Sequence, residues 1–199
     1  MKRMYRTALL AIAIGCIASA CQAQVFLANL TGPNESPPNS SPGTGAAIVT
    51  IDDVANTMRV QVSFSGLLGT TTASHIHSAT ASPFTGTAGV ATTTPTFAGF
   101  PLGVTSGTYD ATLDMTLASS YNPAFITANG GTTSSAEAAL FNGIRNGEAY
   151  LNIHTSVVPG GEIRGFLAPA VPEPGTVSLF AGLAVCGAGV LLRRRLRKR

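Results

Sequence analysis

The chain has 199 residues with 12 Lys+Arg against 9 Asp+Glu, a formal net charge of +3. The excess is positional: Lys2, Arg3 and Arg6 open the chain, six cations occupy its last seven positions, and only Arg59, Arg145 and Arg164 stand among the acids. A nucleic-acid binder needs its cations on a folded face to neutralise phosphates, so that class is excluded, while 11% charged residues, 22 Gly, 12 Pro and no Trp favour short strands joined by turns.

Residues 1–23 read as a secretory signal peptide. Met1–Thr7 is basic, Ala8–Ala20 is apolar, and Ala18-Ser19-Ala20 or Cys21-Gln22-Ala23 offers a small-residue cleavage site. Thirteen apolar residues are too few to cross about 30 Å of hydrocarbon. Cys21 leaves a lipoprotein alternative open, although Ala18 stands three positions before it where a lipoprotein signal favours Leu.

Residues 24–170 form one domain without a cysteine, since Cys16, Cys21 and Cys186 all lie outside it. Disulfides and Cys-ligated zinc are therefore excluded, and stability must come from an apolar core. Alternation predicts strands at Val25–Leu30, Ala46–Ile51, Met58–Ser65 and Ala73–His77, with weaker ones at Val90–Thr93 and Ser106–Met115. Residues 70–96 are otherwise expected to be mostly loop. A helix over Ala136–Arg145, capped by Ser134 or Ser135, would bury Ala138, Leu140, Phe141 and Ile144. Two last strands, Glu148–His154 and Glu162–Ala168, flank Pro159-Gly160-Gly161 and read as a hairpin. The fold class that follows is all-β, a sandwich or barrel with one short helix.

The far end, residues 171–199, holds Pro172-Glu173-Pro174, then Thr176–Leu192 without a charge, then the basic tail 193–199. A helix of that length spans roughly 25 Å, the short end of what crosses a bilayer. The positive-inside rule keeps the tail cytoplasmic and the domain outside, in agreement with an N-terminal export signal. This layout resembles the PEP-CTERM sorting signal of Gram-negative bacteria. The resemblance implies processing by an exosortase-type enzyme, a membrane anchor through the C-terminal helix before processing, and a cell-surface or extracellular setting associated with extracellular polysaccharide.

A second resemblance covers most of the middle. Ala149-Tyr150-Leu151-Asn152-Ile153-His154-Thr155 with Pro159-Gly160-Gly161-Glu162-Ile163-Arg164-Gly165 is similar to the closing signature of the CHRD domain. Ala73-Ser74-His75-Ile76-His77 with Gly89-Val90 matches its His-x-His element, and Phe26–Leu30 through Gly32, Glu35 and Pro38 to Gly45-Ala46-Ala47 matches its opening. The resemblance implies an extracellular immunoglobulin-like β-barrel and names no ligand.

Catalytic motifs are missing: there is no G-x-S-x-G elbow, P-loop, H-E-x-x-H, C-x-x-C or dinucleotide fingerprint. The chemistry left is in three histidines, the only ones in the chain. His75 and His77 point to one face of their strand, opposite Ile76, and His154 points away from Leu151 and Ile153. Two histidines on one strand and a third on another could form a copper or zinc site with an open position, a layout that resembles a superoxide-dismutase-like β-barrel at the level of fold analogy; they could equally serve as structural hydrogen-bonding groups. Hairpin pairing of positions summing to about 316 would set Asn152 opposite Arg164 and His154 opposite Glu162, making Glu162 a candidate to orient His154, while a structural ion pair is the expectation for Arg164. Asp52 and Asp53 suit a turn better than a calcium site. Two functions remain open: a non-catalytic exported surface or matrix protein, and a metal-binding protein using His75, His77 and His154, redox activity included. A glycan-binding module is disfavoured by the lack of Trp.

Overall fold

A computed structural model of the chain describes residues 23–170. The expected signal peptide, the Pro172-Glu173-Pro174 motif, the expected helix over 176–192 and the basic tail all lie outside the described residues. Among the described residues no helix is long and apolar enough to cross a membrane.

The elements in chain order are β1 (Gln24–Thr31), β2 (Thr44–Asp52), β3 (Thr57–Ser65), β4 (Thr71–His77), β5 (Gly107–Asp114), α1 (Pro123–Ala128), α2 (Thr133–Arg145), β6 (Tyr150–Thr155), β7 (Ile163–Phe166) and β8 (Ala168–Pro169). The strands make one curled, half-barrel sheet in the order β4-β6-β7-β1-β2-β3-β5, with β8 beside β1. The expected second sheet of a sandwich does not occur among the described residues. The curl does its work: inward residues of all parts of one sheet meet in a single core.

Strict period-2 alternation builds that core. Phe26, Ala28 and Leu30 of β1, Ala47, Val49 and Ile51 of β2, and Met58, Val60, Val62 and Phe64 of β3 are buried, while Val25, Leu27, Ile48 and Arg59 face outward. Each fully buried large apolar side chain contributes roughly 1.5–3 kcal/mol relative to exposure. Leu140, Phe141 and Ile144 of α2 and Leu151 and Ile153 of β6 complete the same cluster.

Three local expectations are corrected. The helix starts earlier, because Thr132 rather than Ser134 or Ser135 is the N-cap: its hydroxyl accepts from the Ser135 amide and the Ser135 side chain closes the reciprocal bond. Ala138 faces solvent, and Ala136 and Gly143 take its place in the stripe. Residues 90–93 form no strand; they make isolated bridges from Val90 to His77 and from Thr92 to Tyr121. Here hydroxyls replace a ladder, with Thr92 Oγ1 accepting from the Ile76 amide and Thr96 Oγ1 from the Ser74 amide, both at 2.9 Å. The Ala91 and Phe97 amides in turn donate to the Ile76 and Ser74 carbonyls, so hydroxyls and loop backbone together close the outer edge of β4, one solution to the exposed-edge problem. A short helix, α1, was not anticipated; Asn122 caps it and Pro123 opens it.

Candidate functional site

The face of β4, β6 and β7 that points away from the core is itself covered, so these strands are buried on both sides. Loop 78–97 lies over it from one end and loop 32–43 from the other, fixed by contacts described below. Register places the exposed-parity residues in rows: Ala73 pairs with His154, His75 with Asn152, and His77 with Tyr150 across β4 and β6. Asn152 then pairs with Arg164 and Tyr150 with Phe166 across β6 and β7. The hairpin register expected from the sequence, Asn152 opposite Arg164, is the one observed.

The three histidines come together. One ring nitrogen from each lies within 4.8 Å of the others, and the His75 ring sits 4.7 Å from both His77 and His154. Each Nδ1 is held by a backbone carbonyl: His75 by Pro95 at 3.0 Å, His77 by Ala88 at 2.8 Å and His154 by Pro159 at 2.8 Å. A carbonyl can only accept, so Nδ1 carries the proton on all three rings and a neutral ring presents Nε2 as a bare lone pair.

That tautomer assignment exposes an unsatisfied arrangement. Nε2 of His75 and Nε2 of His154 stand 2.9 Å apart, and His77 Nε2 is buried with no hydrogen-bond partner. Two lone pairs facing at hydrogen-bond distance repel unless a proton or a metal cation lies between them. Protonation is disfavoured: burial first, then the neighbouring His77 and His154, pushes His75 down to about 4. Burial likewise pushes His77 down to about 4 against the opposing pull of the Ala88 carbonyl, with His154 and Arg164 adding to the fall. His154 is lowered by burial as well. Three neutral imidazoles converging without an internal donor suit copper or zinc, which both take imidazole nitrogen, and the carbonyls on Nδ1 are the outer partners that fix ligand orientation in such sites.

Glu162 is not one of those partners. It lies in the bend just before β7, leaves the strand alternation, and its carboxylate accepts from Ser41 Oγ (2.6 Å), Thr155 Oγ1 (2.6 Å), the Leu68 amide (2.6 Å) and the Gly69 amide (3.2 Å). Burial opposes its ionisation, but these donors outweigh burial and hold it below the ordinary carboxylate range. Its role is to tie loop 32–43 and residues 68–69 to the hairpin. The expected ion pair of Arg164 is also loose: Nε is 3.8 Å from Glu35 Oε2 and donates instead to the Asn34 carbonyl.

Tyr150 belongs to the site and was not singled out in the sequence, although alternation already set it on the His154 face. Its ring stacks on His77 at 4.7 Å and 7°, and the Arg164 guanidinium lies 4.6 Å over the same ring from the β7 side. The carbonyl anchors could not be found in the sequence, because any residue supplies one.

A curled antiparallel sheet whose covered face holds a His-x-His pair and a third histidine defines a β-domain built around one polar cluster. The CHRD domain model matches residues 26–167, and the chain belongs to the CHRD-domain family. No curated protein and no solved structure matches it.

Proposed function

We propose that this CHRD domain holds one copper or zinc ion on His75, His77 and His154, and that it does so outside the cell. The observation that carries the reading is the pair of facing Nε2 lone pairs at 2.9 Å, with a third Nε2 buried beside them and no proton donor among the three. His75, His77 and His154 would be the ligands through Nε2, and Pro95, Ala88 and Pro159 would keep those atoms aimed by accepting from Nδ1. The metal would supply Lewis acidity or, as copper, a redox couple. The protein groups supply position, neutrality and exclusion of water. The lack of a recognisable catalytic motif supports a binding role over an enzymatic one.

The basic-apolar start of the chain supports export, and the Pro-Glu-Pro, apolar and basic layout of its last residues supports sorting by an exosortase-type enzyme, with the membrane as an intermediate anchor and an extracellular polysaccharide setting as the destination. Metal analysis of the purified full-length chain tests the site. One equivalent of copper or zinc is expected in the wild type, falling to background in His77→Ala and in His154→Ala. Both variants must keep the wild-type far-ultraviolet circular dichroism for the comparison to stand. A wild-type chain that takes up no stoichiometric metal ends the reading, as does unchanged uptake by either folded variant.

A further inference from the structure

The three arginines of the described residues are placed differently. Arg59 forms a two-point pair with Asp110, Nε to Oδ1 at 2.9 Å and Nη2 to Oδ2 at 2.7 Å, and Arg145 pairs with Asp53 and Gln24. Arg164 is 5% exposed, and its one hydrogen bond runs from Nε to the Asn34 carbonyl. Its two η nitrogens make no hydrogen bond among the described residues, and the side chain lines an open groove of about 510 Å³. The cost of largely burying a guanidinium is offset by the Tyr150 and Phe166 rings at 4.6 and 5.7 Å, while its η nitrogens are not sealed in and stay free to meet a ligand. Glu35 relieves that cost only in part, because burial raises that carboxyl to about 7 despite the pull of Arg164.

The rim of the same groove carries an exposed aromatic ring held at a backbone cost. Phe84 is 54% exposed and has φ +58°, a region that bulky residues rarely adopt. It follows Pro83 in a turn closed by the Ser82–Thr85 bridge, at the position where Gly or Asn is the ordinary choice. Its ring rests on Gly147, where any Cβ would strike it, and meets Phe166 edge-on at 6.2 Å and 71°. Strain of this kind concentrates at ligand clamps. Asn29, Asn34, Ser36 and Thr85 line the groove with neutral donors and acceptors, beside Glu35, the one acid of its lining, which burial pushes toward its protonated form.

We propose that this groove binds a sugar acid, its carboxylate on the η nitrogens of Arg164, its hydroxyls on the amide and hydroxyl groups, and its apolar ring face against Phe84 and Phe166. One cation matches one carboxylate, in the two-point geometry a guanidinium favours. The neutral groups match a polyhydroxyl ring, and an exposed aromatic face takes the C–H side of such a ring. Phe84 supplies the platform that the absence of Trp argued against. The groove adjoins the histidine cluster, since the Tyr150 ring stacks on His77 and lies under the Arg164 guanidinium, but its ligand groups are distinct and need no metal.

Isothermal titration of the metal-free full-length chain tests it, with glucuronate, a short oligouronate and glucose as probes. Glucuronate should bind in the millimolar range or tighter, and glucose about tenfold more weakly or worse. Phe84→Gly decides between a platform and a structural prop, because glycine relaxes the positive φ: affinity should drop about tenfold while the melting temperature holds or rises. Arg164→Gln should abolish binding, and Arg59→Ala, on the open sheet face, should leave it unchanged. Saturable binding of the oligouronate with glucuronate too weak to detect also supports the site and identifies a polymer rather than a free sugar acid as its source. Equal binding of glucose, no binding of either acid, or full affinity in a folded Phe84→Gly chain overturns the proposal.

Discussion

At the scale of single residues, proton positions decide the behaviour of the polar face. Glu35 and the histidines pull stability in opposite directions with pH. The histidines are neutral in the fold down to about 4 for His75 and His77, whereas unfolded imidazoles protonate near 6.5. The unfolded state therefore binds more protons in that window, and the metal-free chain should lose stability as pH falls from about 6.5 toward 4. Glu35, raised to about 7, stays protonated in the fold where the unfolded carboxyl ionises near 4.5, so its contribution is lost as pH rises through that interval. Glu35→Gln removes the second effect. Thermal melts should show the variant gaining on the wild type as pH increases from 5 to 8; a constant difference would place the Glu35 carboxyl outside that range. Gly161 makes a separate residue-scale prediction. Its φ is +126°, and a Cβ there would come within 2.5 Å of Asn152 Nδ2 and 2.9 Å of Glu35 Oε1. Gly161→Ala should cost at least about 1–3 kcal/mol by urea unfolding, through backbone strain and displacement of buried polar groups.

At the scale of elements, the strands and α2 follow from pattern and the caps from local hydrogen bonding. Met58, Val60, Val62 and Phe64 alternate with Arg59, Gln61 and Ser63, which is enough to place β3 and its faces. Substituting Leu140, fully buried on α2, by Ala should cost about 2–5 kcal/mol, whereas Thr132→Ala should remove only the N-cap, about 1 kcal/mol. The threonine-sealed edge of β4 behaves differently from either. Thr92→Val keeps the shape but strips the acceptor from the Ile76 amide, leaving a buried N–H unpaired, so about 1–3 kcal/mol should be lost in urea unfolding despite near-isosteric packing. The sequence signal for 90–93 was real, since Thr and Val favour extended backbone. The segment makes no ladder because the β4 amides of Ile76 and Ser74 donate to the Thr92 and Thr96 hydroxyls rather than to carbonyls of a neighbouring strand. The cap lies two or three residues before the expected Ser134 or Ser135 for a related reason: Thr132, Ser134 and Ser135 are all competent caps, and only the helix axis chooses among them.

At the scale of the whole molecule, charge and topology divide the chain. Residues 24–170 carry three cations and eight acids, so the domain is acidic and the positive sign of the full sequence comes from its ends, with nine cations and one acid. If those ends are export and sorting segments, mass spectrometry of cell-surface material should find a C-terminus close to Pro174, and replacing Pro172-Glu173-Pro174 by Ala should abolish surface display. Recovery of the mature protein with Arg199 intact would count against sorting. The sequence by itself determined the β class, the core-facing residues of β1 to β3, the final hairpin with its Asn152–Arg164 register, and the common face of His75 and His77, because a period of two and a Pro-Gly-Gly turn are local properties. It also named the three histidines. Tertiary structure alone decided that β6 lies beside β4, that one curled sheet replaces two stacked ones, and that Glu162 serves Ser41, Thr155 and residues 68–69 rather than His154. It alone set the Nε2 atoms of His75 and His154 face to face and brought His77 beside them, each ring held by a carbonyl from loop 78–97 or from Pro159. Those outcomes depend on which distant backbones come to rest side by side, and no pattern of side chains along a strand encodes that.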